Sequence, residues 1–144
     1  MLFARCWEDD AADLNELALA LASSRERHLE TTQLGRSFRM AASVFETGPH
    51  PPAGTFSHGF ATGEGGRRPD EGPFAYPIAA GSVCAALGVP KYEAVLAFLQ
   101  GFCAALTSVA VRLVPIGQTA GLEVLRDLMP VIAATAARAS DATP

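Results

Sequence analysis

Three histidines and three cysteines are the residues of this 144-residue chain best equipped for chemistry. His28, His50 or His58 could serve as a base and Cys6, Cys84 or Cys103 as a nucleophile. However, no Gly-x-Ser-x-Gly elbow accompanies them. Cys84 and Cys103 stand in apolar runs, where a small buried side chain is expected rather than a thiolate. The charge-poor second half offers no paired carboxylates for acid–base work, so no enzymatic activity is expected. His50 and His58 share a Pro/Gly-rich stretch with Glu64 and Asp70 and could capture nickel or zinc transiently. Their spacing fits no structural zinc pattern, so solvent-facing histidines are the first reading and a Ni/Zn-binding helical protein is the alternative. Gly63-Glu64-Gly65-Gly66 lacks the lysine and the Ser/Thr of a phosphate-binding loop and follows no strand.

The elements around these residues read as helices. Alanine and leucine dominate an apolar share of 49%, and β-branched residues are sparse. A net charge of −4, with no basic stripe interleaved with aromatics, argues against a nucleic-acid partner. Of the 26 charged side chains, 18 fall in residues 1–72 and 8 in residues 73–144, which marks the second half as buried or as an interface. Three widely spaced cysteines and an N-terminus without an apolar signal core point to the cytoplasm.

Residues 1–23 read as one helix with a stripe of Leu14, Leu17, Ala18 and Leu21. Residues 25–46 read as a more polar helix with Leu34, Phe38, Ala41, Ala42 and Phe45 on one face. Gly35 lies inside it, where a glycine usually admits a close backbone neighbour. Residues 47–73 hold too much proline and glycine for a helix and are expected to be an irregular loop. A helix from Phe74 to Leu87 should stop at Gly88, with Pro90 opening the next.

That next helix carries the longest stripe: Tyr92, Val95, Leu96, Leu99, Phe102, Cys103, Leu106, Val109, Ala110 and Leu113. The spacing predicts a core helix from Tyr92 to Val114, with Leu96, Leu99, Phe102, Cys103 and Leu106 buried. Its uncharged run, Ala94–Val111, touches membrane-spanning length. Gln100, Thr107 and Ser108 interrupt it, so a buried helix and no membrane partner are expected. A last helix, Gln118–Ala139, should kink at Pro130. The short Gly88–Pro90 and Pro115–Gly117 joints imply antiparallel neighbours. The expected fold is therefore all-α, a single-domain bundle of about five main helices over residues 1–144 with a disordered tail at 140–144.

Between the last two helices lies Arg112-Leu113-Val114-Pro115-Ile116-Gly117-Gln118-Thr119-Ala120-Gly121. Arg112 can satisfy carbonyls at a helix C-terminus, Pro115 ends the helix, Gly117 permits the turn, and Gln118 and Thr119 can serve the next helix's first amides. By physics alone this is equally a well-built corner and a polar anchor in an apolar contact surface. Arg112 is the only charge between Glu93 and Glu123, so it is expected to be partly buried with Gln118.

The corner resembles the arginine–leucine–x–proline–leucine–glycine–glutamine stretch of the UreF family of urease accessory proteins, with Ile116 for the usual leucine. The helix pair before it, YPIAAGSVCAALGVPKYEAVLAFLQGFCAALTSVAVRL, is similar to the pair that leads into that motif. SSRERHLETTQLGRSF resembles the family's polar helix, with Gln33, Gly35 and Arg36 at its glutamine, glycine and arginine. The resemblance covers roughly residues 1–139. It implies a non-catalytic chaperone of nickel insertion that dimerises, binds UreD (also called UreH) and the GTPase UreG, and acts on apo-urease. Nickel would be the ion transported rather than a tightly bound cofactor. Partner binding would fall to Gln33, Gly35, Arg36, Arg112, Pro115, Gly117 and Gln118. Family members begin with a further segment carrying Pro-x-Gly-x-Phe-Ser and extend beyond the last helix, so a truncated form, an alternative start or a fragment is expected. PAGTFSHG at 52–59 echoes that motif in another place.

Overall fold

The computed structural model describes residues 1–45, 73–114 and 116–142. The irregular loop expected at 47–73 therefore lies outside the described residues, apart from Pro73. Among the described residues the chain is all-α: α1 (Leu2–Arg5), α2 (Ala11–Ala20), α3 (Arg25–Ala42), α4 (Tyr76–Ala86), α5 (Lys91–Leu113) and α6 (Gly117–Asp141), with a 3-10 turn at Ser43–Phe45. Five of these are helices of ten residues or more, as the periodicity requires. Contacts gather the chain into two compact units, Met1–Val89 and Pro90–Pro144.

In the first unit, the single helix expected over 1–23 is two helices. The Asp10 carboxylate accepts hydrogen bonds from Ala12 N (2.7 Å) and Asp13 N (3.3 Å), so it caps a new helix instead of continuing an old one. Arg5 pairs with Asp9 across the break. α2 then contributes Leu14 to the core while Leu17 and Leu21 stay exposed. Ser24 caps α3 by accepting from Arg27 N at 3.2 Å.

Leu14, Ala75 and Ile78 form the buried centre, with Leu2, Cys6, Ala11, Ala18, Leu19 and Phe74 packed around them. α1 lies against α4 at Gly81, where a Cβ would stand 2.7 Å from Cys6 Sγ and 2.8 Å from Phe3 O. Trp7 extends this contact, donating from Nε1 to Val89 O at 3.2 Å. α4 begins at Tyr76 rather than Phe74 and ends as expected. Gly88 takes φ +70°, its N–H bonds Ala85 O, and Val89 N–H bonds Cys84 O, the paired bonds of a Schellman motif.

The start of α4 is held by side chains of other helices. Asn15 on α2 donates from Nδ2 to Pro73 O (3.1 Å), and its Oδ1 accepts from Ala75 N (2.8 Å). Tyr76 N–H donates to Thr31 Oγ1 on α3 at 3.0 Å, so a neighbouring hydroxyl supplies the cap that α4 lacks. Asn15→Ala leaves Pro73 O and the buried Ala75 N–H without these partners. It should cost about 1–3 kcal/mol in denaturant titration and speed amide exchange at Ala75. An unchanged midpoint with unchanged exchange would refute the clasp.

The second unit is a pair of packed helices, α5 and α6. Ala94, Val95 and Thr107 on α5, and Gly121, Ile132 and Ala136 on α6, are buried. A Cβ at Gly121 would stand 2.6 Å from Val111 Cγ2, so the missing side chain sets how closely the helices approach. α6 includes Pro130 inside the helix and reaches Asp141, into the stretch expected to be a tail.

α5 corrects the sequence reading. Its bounds agree to within one residue with the expected core helix. Yet of the five residues expected to be buried, Leu96, Leu99 and Cys103 are half-buried, while Phe102 and Leu106 are 57% and 56% exposed. A two-helix unit has one seam, and of α5 only Ala94, Val95 and Thr107 are buried, so Phe102 and Leu106 face outward. α5 is long and apolar enough to cross a membrane by length and composition, and only 17% of its most apolar window is buried.

Candidate functional site

The residues expected to bind partners lie on two elements, one in each unit. In α3, the face turned toward α4 runs through Thr31, Gly35, Phe38, Arg39 and Ala42. Phe38 meets the Tyr76 ring edge-on at 5.7 Å between centroids, and the Arg39 guanidinium lies 4.4 Å above the Phe74 ring. Gly35 is buried here, and a Cβ on it would overlap the Phe74 carbonyl oxygen and stand 3.2 Å from the Ala75 carbonyl carbon. The close backbone neighbour that its position suggested is therefore present, and Gly35 acts through packing.

Gln33 and Arg36 are exposed on the same helix. Gln33 shares an open surface depression with Glu26, Leu29, Glu30, Leu34 and Ser37. Leu34 and Phe45, expected on the apolar face, are 48% and 70% exposed. The packed stripe is thus rotated from the one read from hydrophobicity, because Gly35 and Thr31 give α4 a closer approach than leucine would.

At the corner, α5 ends at Leu113, and Ile116 N–H bonds Val114 O at 2.7 Å around Pro115, which is itself outside the described residues. Gly117 takes φ +76°, the left-handed conformation that a turn here requires of glycine. Arg112 and Gln118 are exposed, against the expectation of partial burial. Arg112 Nε donates to Ser108 O at 3.2 Å, one turn back in its own helix, while the guanidinium stays in solvent. The expected service of Gln118 and Thr119 to the first amides of α6 is absent: Ile116 is the N-cap and no side chain caps the helix. At the corner the end of α5 exposes Arg112 and Leu113 (78% exposed), and the start of α6 exposes Gln118.

Two thiols elsewhere, Cys6 and Cys84, are less acidic than usual. Burial pushes the Cys6 thiol up to about 11, with the Asp9 carboxylate adding to the rise and the Ser82 hydroxyl opposing it. Burial also raises Cys84. Cys6 should therefore react with iodoacetamide at pH 8 roughly 100-fold more slowly in the folded chain than in denaturant, two pH units of thiolate population. The raised folded value favours the thiol, so the Cys6 contribution to stability is intact below pH 9 and is lost as pH rises from 9 toward 11. Site-resolved mass spectrometry reads the labelling, and equal rates folded and unfolded would refute it. Among the described residues no group of three metal-ligating side chains occurs. His50, His58, Glu64 and Asp70 lie outside those residues.

Comparison with known proteins agrees with the motif at the corner. The UreF family model matches residues 1–129. The chain is 43% identical over 132 residues to the urease accessory protein UreF of Methylobacterium sp. (strain 4-46), covering 92% of this chain and 48% of that protein. It is 44% identical over 127 residues to the one from Methylorubrum populi, covering 88% and 51%. With the one from Brucella ovis it shares 39% identity over 132 residues, covering 92% and 50%. The chain thus spans about half the length of the curated relatives it matches. No solved structure matches. With its polar helix, the apolar helix pair α4 and α5, and the corner that follows them all inside the matched region, the chain belongs to the UreF family.

Proposed function

We propose that this chain is a non-catalytic scaffold in the cytoplasmic complex that inserts nickel into apo-urease, and that it bridges UreD/UreH and the GTPase UreG as a homodimer. Nickel is cargo of that complex and not a resident cofactor. The observation that carries this reading is the family match over residues 1–129 to proteins named for urease accessory work. The outward apolar stripe of α5 supports it, since a charge-poor helix exposing Phe102, Leu106, Val109 and Leu113 suits a protein contact. Exposed Gln33 and Arg36 on α3, and Arg112 and Gln118 at the corner, are the polar anchors of the two contact regions. Gly35 and Gly117 shape the backbone beneath them.

The reading is tested by affinity purification of the tagged chain from cells expressing the urease operon, scored for UreD/UreH and UreG, with urease activation measured in a deletion strain. Recovery of neither protein, together with normal urease activation in the deletion strain, would refute it. The corner has its own test. Arg112 is exposed and bonds within its own helix, so Arg112→Ala should leave the far-UV circular dichroism unchanged and shift stability by less than ~1 kcal/mol. Accessory-complex formation should weaken at least ~10-fold, a decade being about 1.4 kcal/mol. A collapsed spectrum would make the arginine structural, and intact binding with an intact fold would reduce the corner to a turn.

A further inference from the structure

We draw no further inference here: the strongest candidate, the exposed apolar stripe Phe102–Leu106–Val109–Leu113 on α5, is an unpartnered helix face, and nothing in the structure shows what covers it.

Discussion

Phe3→Ala should destabilise the first unit by about 3–5 kcal/mol, whereas Phe102→Ala should change stability by less than about 1 kcal/mol. Phe3 is 1% exposed, and its ring lies 5.8 Å from that of Trp7 in a tilted pair between α1 and α4. Removing it opens a cavity in a small core whose other large, fully buried side chains are few, so little can collapse to fill the space. Phe102 is 57% exposed, and its loss leaves no cavity. Trp7 is the chain's one tryptophan, so its fluorescence in urea titration reads Phe3→Ala in the first unit, while far-UV circular dichroism reads Phe102→Ala in the second. If Phe102 anchors a partner, its truncation should cost about 2 kcal/mol or more of binding while the fold is untouched. A Phe102→Ala loss equal to that of Phe3→Ala would mean that the apolar face of α5 is core after all.

The contrast between these two phenylalanines shows which level of structure was legible. Helix identity was written in the 3.6-residue recurrence of apolar side chains, and the bounds of α5 agree to within one residue. Gly88 and Pro90 marked a helix end and a helix start, and the Schellman bonds at Gly88 are those that a glycine after the last turn predicts. Asp10 lies inside the stretch expected to be one helix, and its carboxylate starts a second helix there by accepting from Ala12 and Asp13 N–H.

Which face each helix buries was much harder to read, for a physical reason. Hydrophobicity says that a face avoids water; it does not say whether a neighbouring helix or another molecule covers it. In α3 and α5 the close contacts go to Thr31, Gly35, Ala94 and Thr107, because small side chains let backbones approach. Leu34, Phe102 and Leu106 are left outside. Asn15 and Thr31 were missed altogether. Each lies on a helix yet bonds backbone some 60 and 45 residues away, and no local pattern encodes such a pairing. The corner motif was legible as a family signature, but its electrostatics were not. Scarcity of charge suggested burial for Arg112, whereas it bonds a carbonyl one turn back and stays in solvent.

Two glycines inside helices should respond to alanine with opposite signs. In an exposed helix interior, Gly→Ala stabilises by about 1 kcal/mol, because alanine has less backbone freedom to lose on folding. Gly101 on α5 has nothing within 4 Å of where a Cβ would sit, so Gly101→Ala should raise stability by about that amount. At Gly35 the same intrinsic gain is opposed by collision with the Phe74 carbonyl, which is backbone and therefore cannot rotate away. Asn15 and Thr31 pin that backbone on either side, at Pro73, Ala75 and Tyr76. Relief thus requires shifting α3 or breaking the clasp, and overpacking of this kind costs roughly 1–3 kcal/mol or more. Gly35→Ala should therefore be destabilising despite its better helix propensity, and Gly35→Val more so. Denaturant midpoints followed through Trp7 for Gly35 and through far-UV circular dichroism for Gly101 read both signs. Binding assays on Gly35→Ala should then show losses that track the unfolded fraction, because this residue supports the polar helix from inside. Full stability with selectively lost binding would instead place Gly35 in the partner contact itself.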